Sequence, residues 1–222
     1  MMDSAQFEEI ITKKFPSLID KQLQQLKACE QLYLEWNAKI NVISRKDVDG
    51  FFAHHLLHSL GIALYAGERL SEKTVLDLGT GGGFPGIPLA IFYPESRFTL
   101  CDSIGKKTLV ARSVAEALGL ENVEVVCARA ESLPGTFDYV VSRAVADMSD
   151  LLGWVKSKFG EGLICLKGGN IVPETAAAAA RYRLPVEKIS CRSLQEWLTP
   201  SDLGEDYAWF DQKFVLEVPP VR

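Results

Sequence analysis

The sequence predicts an α/β fold: a mostly parallel sheet covered on both faces, with an antiparallel C-terminal edge and an N-terminal helical extension. Three observations predict it. From Thr74 onward, short apolar runs rich in valine and leucine alternate with longer helical stretches, the pattern of parallel strands joined by right-handed crossovers. A glycine cluster, Gly79 to Gly86, directly follows the first of these runs. The last strand-like segments, 183–190 and 213–218, are separated by a loop with a short helical turn and no full crossover helix, so they should pair antiparallel at one sheet edge.

The chain has 222 residues, 47% of them hydrophobic, enough for one well-cored domain with an appendage. We divide it into a helical extension, 1–72, packed on a core domain, 73–222. In the extension Ser17 can cap a helix in which Leu18, Leu23, Leu26, Tyr33 and Trp36 recur at helical spacing. Asp47 can cap a second, with Phe51, Phe52, His55, Leu56, Ser59 and Leu60 on its inner side; residues 41–46 form the loop between them. In the core domain strands are expected at 75–78, 97–101, 123–127, 137–141 and 163–166, with helices at 85–93, 105–118 and 148–159. Gly119 suits the cap that stops the second of these helices, and the alanine run 176–180 reads as one more.

Composition narrows the function. The most apolar helical stretch, 56–66, is interrupted by His58, Ser59 and Gly61 and is too short to cross a bilayer. Early acids (Asp3, Glu8, Glu9) and no basic segment before an apolar one argue against a secretion signal, so a cytoplasmic location is expected. Five scattered cysteines without a C-x-x-C pair read as reduced, mostly buried thiols. The net charge is −5, and acids outnumber bases in each part: 10 to 8 in 1–72, 12 to 10 in 73–180, and 7 to 6 in 181–222. Charge alone therefore points away from nucleic acid, and any RNA surface must be a local patch.

The run Asp77-Leu78-Gly79-Thr80-Gly81-Gly82-Gly83-Phe84-Pro85-Gly86 carries the most information. Its glycines let the chain turn off the strand and expose bare backbone to a ligand, and Pro85 suits the first position of the next helix. An acid at the end of the second strand, Asp102, stands where a ribose-binding carboxylate belongs. Gly81, Gly83 and Gly86 satisfy the dinucleotide pattern G-x-G-x-x-G, whereas Asp77 through Gly83 satisfies D-x-G-x-G-x-G, the first motif of S-adenosylmethionine methyltransferases. Three features favour the second reading. Asp77 can meet the cationic methionine end of that cofactor; Arg129-Ala130-Glu131 can hold its adenine amino group; and an antiparallel tail is typical of methyltransferases. The fold class is then a Rossmann-like, class I S-adenosylmethionine methyltransferase.

At this level the sequence resembles the bacterial small-subunit (16S) rRNA guanine-N7 methyltransferase G family, also called glucose-inhibited division protein B. The similar blocks are Trp36-Asn37 with Asn41, His55-Leu56 with Ser59-Leu60, the glycine run through Ala90, and Leu100-Cys101-Asp102-Ser103 with Lys106-Lys107. Arg129-Ala130-Glu131, Ser142-Arg143-Ala144 and Leu166-Lys167-Gly168 follow in order, so the likeness spans about 36–169. It departs at His58 and Lys107, where many relatives carry Asp and Arg. The resemblance implies that Gly79, Phe84, Ala130, Glu131 and Arg143 contact the cofactor, with Asp102 and Ser103 near its ribose and adenine. It also implies that the substrate is a guanine N7 in 16S rRNA, naked or in the assembling small subunit.

Guanine N7 has its own lone pair, so methylation there needs neither a covalent intermediate nor a strong base. The sequence fits: Ser142-Arg143-Ala144 stands after the fourth strand in place of the Asn/Asp-Pro-Pro-aromatic motif of amino-group methylation, and no Pro-Cys nucleophile motif is present. Arg143, at a strand's C-terminal edge, is the candidate positioning residue; no other residue is assigned a catalytic role. Candidate RNA contacts are Arg45, Lys46, Lys106, Lys107 and Lys167. His54 and His58 have zinc-helix spacing, but His55 replaces the required glutamate and no third ligand is evident, so no metal is expected. His55 should bond inside the helical cap and His54 should face solvent or RNA, while Tyr33, Trp36, Phe51 and Phe52 pack against the sheet. Two other functions stay open: a small-molecule or protein methyltransferase, and a non-catalytic RNA-binding module.

Overall fold

The computed structural model describes residues 1–44 and 47–221. Among these, seven strands form one sheet: β1 (Thr74–Leu78), β2 (Arg97–Asp102), β3 (Val123–Cys127), β4 (Phe137–Arg143), β5 (Phe159–Gly168), β6 (Ser190–Ser193) and β7 (Lys213–Val218). Their order is β3-β2-β1-β4-β5-β7-β6. The first five are parallel, and β7 runs antiparallel between β5 and β6. The chain builds outward from β1 through β2 to β3, then returns to lay β4 on the other side of β1. Strand order thus reverses beside β1, where open α/β sheets bind ligands at the strands' C-terminal ends.

Buried parallel strands need cover on both faces. Alternating residues serve the two sides: Val75, Leu100, Val141, Ile164 and Leu166 face one core, and Leu76, Cys101, Val140, Leu163 and Cys165 the other. The helices α1 (Ser4–Lys14), α2 (Asp20–Asn37), α3 (His58–Ala66), α4 (Gly86–Phe92) and α5 (Gly105–Ala117) pack on the first side. Helices α6 (Met148–Val155) and α7 (Val172–Tyr182) cover the second, and a short α8 (Pro200–Leu203) precedes β7. Among the described residues no crossover helix reaches the first face of β5 and β7, and α3 lies there, with Leu60 and Ile62 fully buried. Each such side chain contributes about 1.5–3 kcal/mol of transfer free energy. The N-terminal residues therefore complete the helical layer over the sheet.

Several expected boundaries move for local reasons. Helix α2 starts at Asp20 rather than from a Ser17 cap; the Gln22 side chain accepts from the Ile19 N–H at 3.0 Å and donates to the Ile91 and Phe92 carbonyls, tying α2 to α4. Asp47 does not cap the next helix. The chain enters a π-helical turn, Phe51–Leu57, directly after Gly50, and the Asp47 carboxylate meets His54 Nδ1 at 3.1 Å. The wider turn lets Phe51, Phe52, Ala53, Leu56 and Leu57 all be buried. The expected strand 183–190 is instead a left-handed cap at Arg183 (φ 54°) and a 3₁₀ turn after Pro185, which lacks an N–H for a sheet ladder. The edge strand starts only at Ser190. Among the described residues no helix is long and apolar enough to cross a membrane.

Candidate active site

The glycine loop is held from below by two carboxylates. Asp77, on β1, is fully buried; its Oδ2 accepts from the Thr80 hydroxyl at 2.6 Å and from the Gly86 N–H at 2.8 Å. Burial pushes its carboxyl up to about 7 against the pull of those two bonds. Asp77 Oδ2 thus braces the loop, and the first helical N–H after Pro85 points at it, while the buried Oδ1 has no hydrogen-bond partner among the described residues. A Cβ at Gly86 would meet Asp77 Oδ2 at 2.6 Å, so only glycine fits. Asp102, at the end of β2, accepts from the Gly81 N–H through Oδ2 and from the Ile104 N–H through Oδ1, both at 2.9 Å. Each of its oxygens retains a second lone pair on the open side.

These constraints leave a cavity of about 370 Å³ at the C-terminal ends of β1, β2 and β4. Gly79, Asp102, Ser103, Ala130 and Glu131 line it together with Lys107, Arg129, Ala144, Val145 and Trp154. Gly79 has φ +69° and Gly81 φ +57°, conformations open to glycine at little cost. A larger cavity, about 900 Å³, lies at the other end of the strands around Thr74, Arg97 and Asn122. It is remote from the glycine loop and at the wrong end of a parallel sheet for a cofactor.

Phe84 and Arg143 are not in the cavity lining. The Phe84 ring is buried beneath the loop against Tyr33, with centroids 4.6 Å apart, and the Arg143 guanidinium lies 4.9 Å above that ring. Arg143 donates to the His54 carbonyl at 3.1 Å and to His55 Nδ1 at 3.2 Å. Burial draws the arginine down to about 10, with Asp77 the main group opposing the drop, so it stays charged at neutral pH. Burial and then the Arg143 charge hold His55 down at about 3, so its ring is neutral. Phe84 and Arg143 both contact the π-helical turn, Phe84 at the His55 ring and Arg143 at His54 and His55.

The basic candidates separate. Lys107 lines the cavity and Lys106 is exposed on the same helix. Lys167, expected at the RNA surface, is instead engaged inside the protein: its side chain is 9% exposed, and its ammonium donates to the Ala146 carbonyl at 2.6 Å and pairs with Glu174 at 2.7 Å. Arg45 and Lys46 lie outside the described residues. His54 does not face solvent; its ring stacks on Trp209 with centroids 4.1 Å apart and planes 8° apart. Burial pushes the Cys165 thiol up to about 12 and that of Cys101 to about 11, whereas Cys127 in β3 and Cys191 in β6 are exposed.

Four neighbours of the site were missed by the sequence. Tyr33 donates its hydroxyl to the Gly82 carbonyl at 2.8 Å. Asn37 accepts from the Val42 and Ile43 N–H groups, each at 2.9 Å, which sets Val42 against Gly82. Val145 covers the bare face of Gly79, and Trp154 reaches the cavity from α6. Only Asn37 left a signal, in its block with Trp36; the others look like ordinary helix and loop residues.

A family model described as rRNA small subunit methyltransferase G matches residues 22–197. The chain is 54% identical over 175 residues to the ribosomal RNA small subunit methyltransferase G of Bacteroides thetaiotaomicron, covering 75% of this chain and 84% of that protein. It is 52% identical over 175 residues to the protein of the same name from Porphyromonas gingivalis, covering 75% and 79%. Among solved structures, the 16S rRNA N2 methyltransferase of T. thermophilus, in complex with AdoMet and guanosine, superposes with TM-score 0.54 at 13% identity over 82% of this chain and 44% of that one. The ribosomal protein L11 methylase of Lactobacillus delbrueckii subsp. bulgaricus gives 0.51 at 18% identity, over 75% and 77%. These two likenesses concern the fold alone.

Proposed function

From the premise that this chain belongs to the rRNA small subunit methyltransferase G family, we infer an enzyme that transfers the methyl group of S-adenosylmethionine to N7 of a guanine in 16S rRNA. The observation that carries this reading is the match over residues 22–197, which takes in the glycine loop, Asp102 at the end of β2, Glu131 in the turn after β3, and Arg143 at the end of β4.

The cavity fits the cofactor. Gly79 and Gly81 offer bare backbone, and beyond Gly81 there is open space where a Cβ would stand. Asp102 can accept ribose hydroxyls with its free lone pairs, and the exposed carboxylate of Glu131 can accept from an adenine amino group. Ser103 and Ala130 complete the wall. Bound there, the cofactor supplies a methyl group on a sulfonium, ready for in-line transfer to a lone pair.

The protein's own part is positioning. Guanine N7 carries its own lone pair and needs no proton removed, so this reading calls for no general base. His55 is neutral, Asp77 is fully buried with Oδ2 bonded to Thr80 and Gly86, and the Cys101 and Cys165 thiols stay protonated. What remains is orientation of two reactants, which can account for much of a barrier reduction. Lys106 and Arg129, both exposed, with Lys107 form a basic rim that suits an RNA backbone beside the cavity. The substrate is then the rRNA or the assembling small subunit, with the target guanine in a loop that leaves N7 open.

The test is methyl transfer from labelled S-adenosylmethionine to small subunits lacking the modification, followed by chemical cleavage at N7-methylguanine. Label in 16S rRNA with cleavage at one guanine is the expected result. Label on a protein or at another atom would overturn it.

A further inference from the structure

Lys167, a sequence candidate for RNA contact, is engaged in something else. Its ammonium bridges the Ala146 carbonyl and the Glu174 carboxylate, and the same Glu174 oxygen accepts the Met148 N–H at 2.9 Å. The side chains of Lys167 and Glu174 are 9% and 21% exposed. An ion pair this far from water is poor evidence for added stability, because desolvation offsets much of its attraction. Capping does not explain it fully either, since Asp147 already accepts from the Asp150 N–H at the start of α6.

Its geometry does offer a reason. The two residues pin the outgoing end of the turn 144–147, while Arg143, bonded to His54 and His55, pins the incoming end. Between the anchors Ala144 has φ +52°, a conformation strained for a non-glycine residue that persists only when its surroundings impose it. The turn delivers Val145, 37% exposed, to the bare face of Gly79; a Cβ on that glycine would lie 2.5 Å from Val145. Ala144 and Val145 are also cavity wall.

We propose that Lys167 and Glu174 are positioning residues for methyl transfer, acting through the Ala144–Val145 turn that they hold against Gly79. The proposal rests on reading the cavity at Gly79 as the methyl-donor site. Without the clamp, Ala144 relaxes to a negative φ and Val145 leaves the cavity wall. The reactants still bind, but the wall that orients them is lost.

The experiment uses the full chain with unmodified small subunits and saturating S-adenosylmethionine, comparing Lys167→Met, Lys167→Arg, Glu174→Gln and the Met/Gln double variant. Lys167→Met and Glu174→Gln should each lower kcat about ten-fold with KM for subunits little changed, the double variant should fall no further, and Lys167→Arg should recover part of the loss. Hydrogen exchange supplies a second readout: the Met148 amide should exchange faster in the Met and Gln variants while β4 and β5 keep their protection. An RNA-contact role predicts the reverse pattern. Glu174→Gln would free the lysine and tighten subunit binding, and Lys167→Met would flatten the salt dependence by about one phosphate. That pattern, an unchanged kcat, or losses that merely track the folded fraction would each overturn the proposal. Mapping the methylated atom in the wild type separately tests the guanine-N7 reading, and absence of S-adenosylhomocysteine binding would remove the cavity reading and this proposal with it.

Discussion

Arg143 and His55 meet nitrogen to nitrogen at 3.2 Å, and this contact decides which ring nitrogen of His55 carries the proton. A guanidinium only donates, so Nδ1 must be the bare nitrogen and Nε2 the protonated one. Nε2 is buried and has no partner among the described residues.

A pH dependence of stability follows. His55 is held down at about 3 in the fold and returns to its ordinary value of 6.5 when unfolded. Between these values the unfolded chain binds the extra proton, so the His55 contribution is intact above 6.5 and is lost as pH falls toward 3, by at most about 1.4 kcal/mol per pH unit. Asp77 has the opposite sign: raised to about 7 from 3.8, it favours the folded state as pH falls through that range. Urea melts of wild type and His55→Gln from pH 4 to 7 separate the two. The variant should lose stability less steeply on acidification, and identical slopes would mean that His55 is charged in the fold.

Asp77 should act as a structural brace. Asp77→Ala leaves the Gly86 N–H and Thr80 hydroxyl unpaired, at a cost of about 1–3 kcal/mol in a chemical melt. Asp77→Asn keeps one acceptor and should cost less. An Asn variant of native stability that binds S-adenosylhomocysteine ten-fold or more weakly would instead place Asp77 in contact with the ligand.

Two glycines of the loop should respond differently. At Gly81 a Cβ meets nothing within 4 Å, so Gly81→Ala carries mainly the backbone cost of about 1 kcal/mol. Gly79→Ala adds a collision with Val145 and should melt lower. Pairing Gly79→Ala with Val145→Ala should restore part of that difference. Differential scanning calorimetry of the four proteins checks it; no recovery in the pair would mean that Val145 does not rest on Gly79.

Lys106 and Lys107 are adjacent in sequence but differ in task. Lys106→Ala should weaken subunit binding and reduce its salt dependence by about one phosphate, leaving S-adenosylhomocysteine affinity unchanged. Lys107→Ala, in the cavity lining, should alter that affinity as well. Filter binding across a salt series with calorimetry on the same samples tells them apart, and equal salt slopes for wild type and Lys106→Ala would make Lys106 a solvated helix residue.

The sequence by itself determined the layer architecture, because a parallel sheet demands apolar runs at strand spacing and crossover helices between them, and both are local patterns. It also determined the loop around Gly79 and Gly86, since a sharp turn at positive φ and a Cβ-free approach leave a mark in residue type. Whether a polar side chain faces a ligand or is taken by the protein is another matter, set by groups far along the chain. His54 and His55 hold Arg143 from 89 and 88 residues away, and Ala146 holds Lys167 across 21. The π-helical turn at Phe51–Leu57, which contacts Arg143 and Phe84, was hidden because its apolar residues suit an α-helix equally well. Only the tertiary structure decided these partners, since burial removes water as the competing partner and leaves each charge with the acceptors that packing brings near.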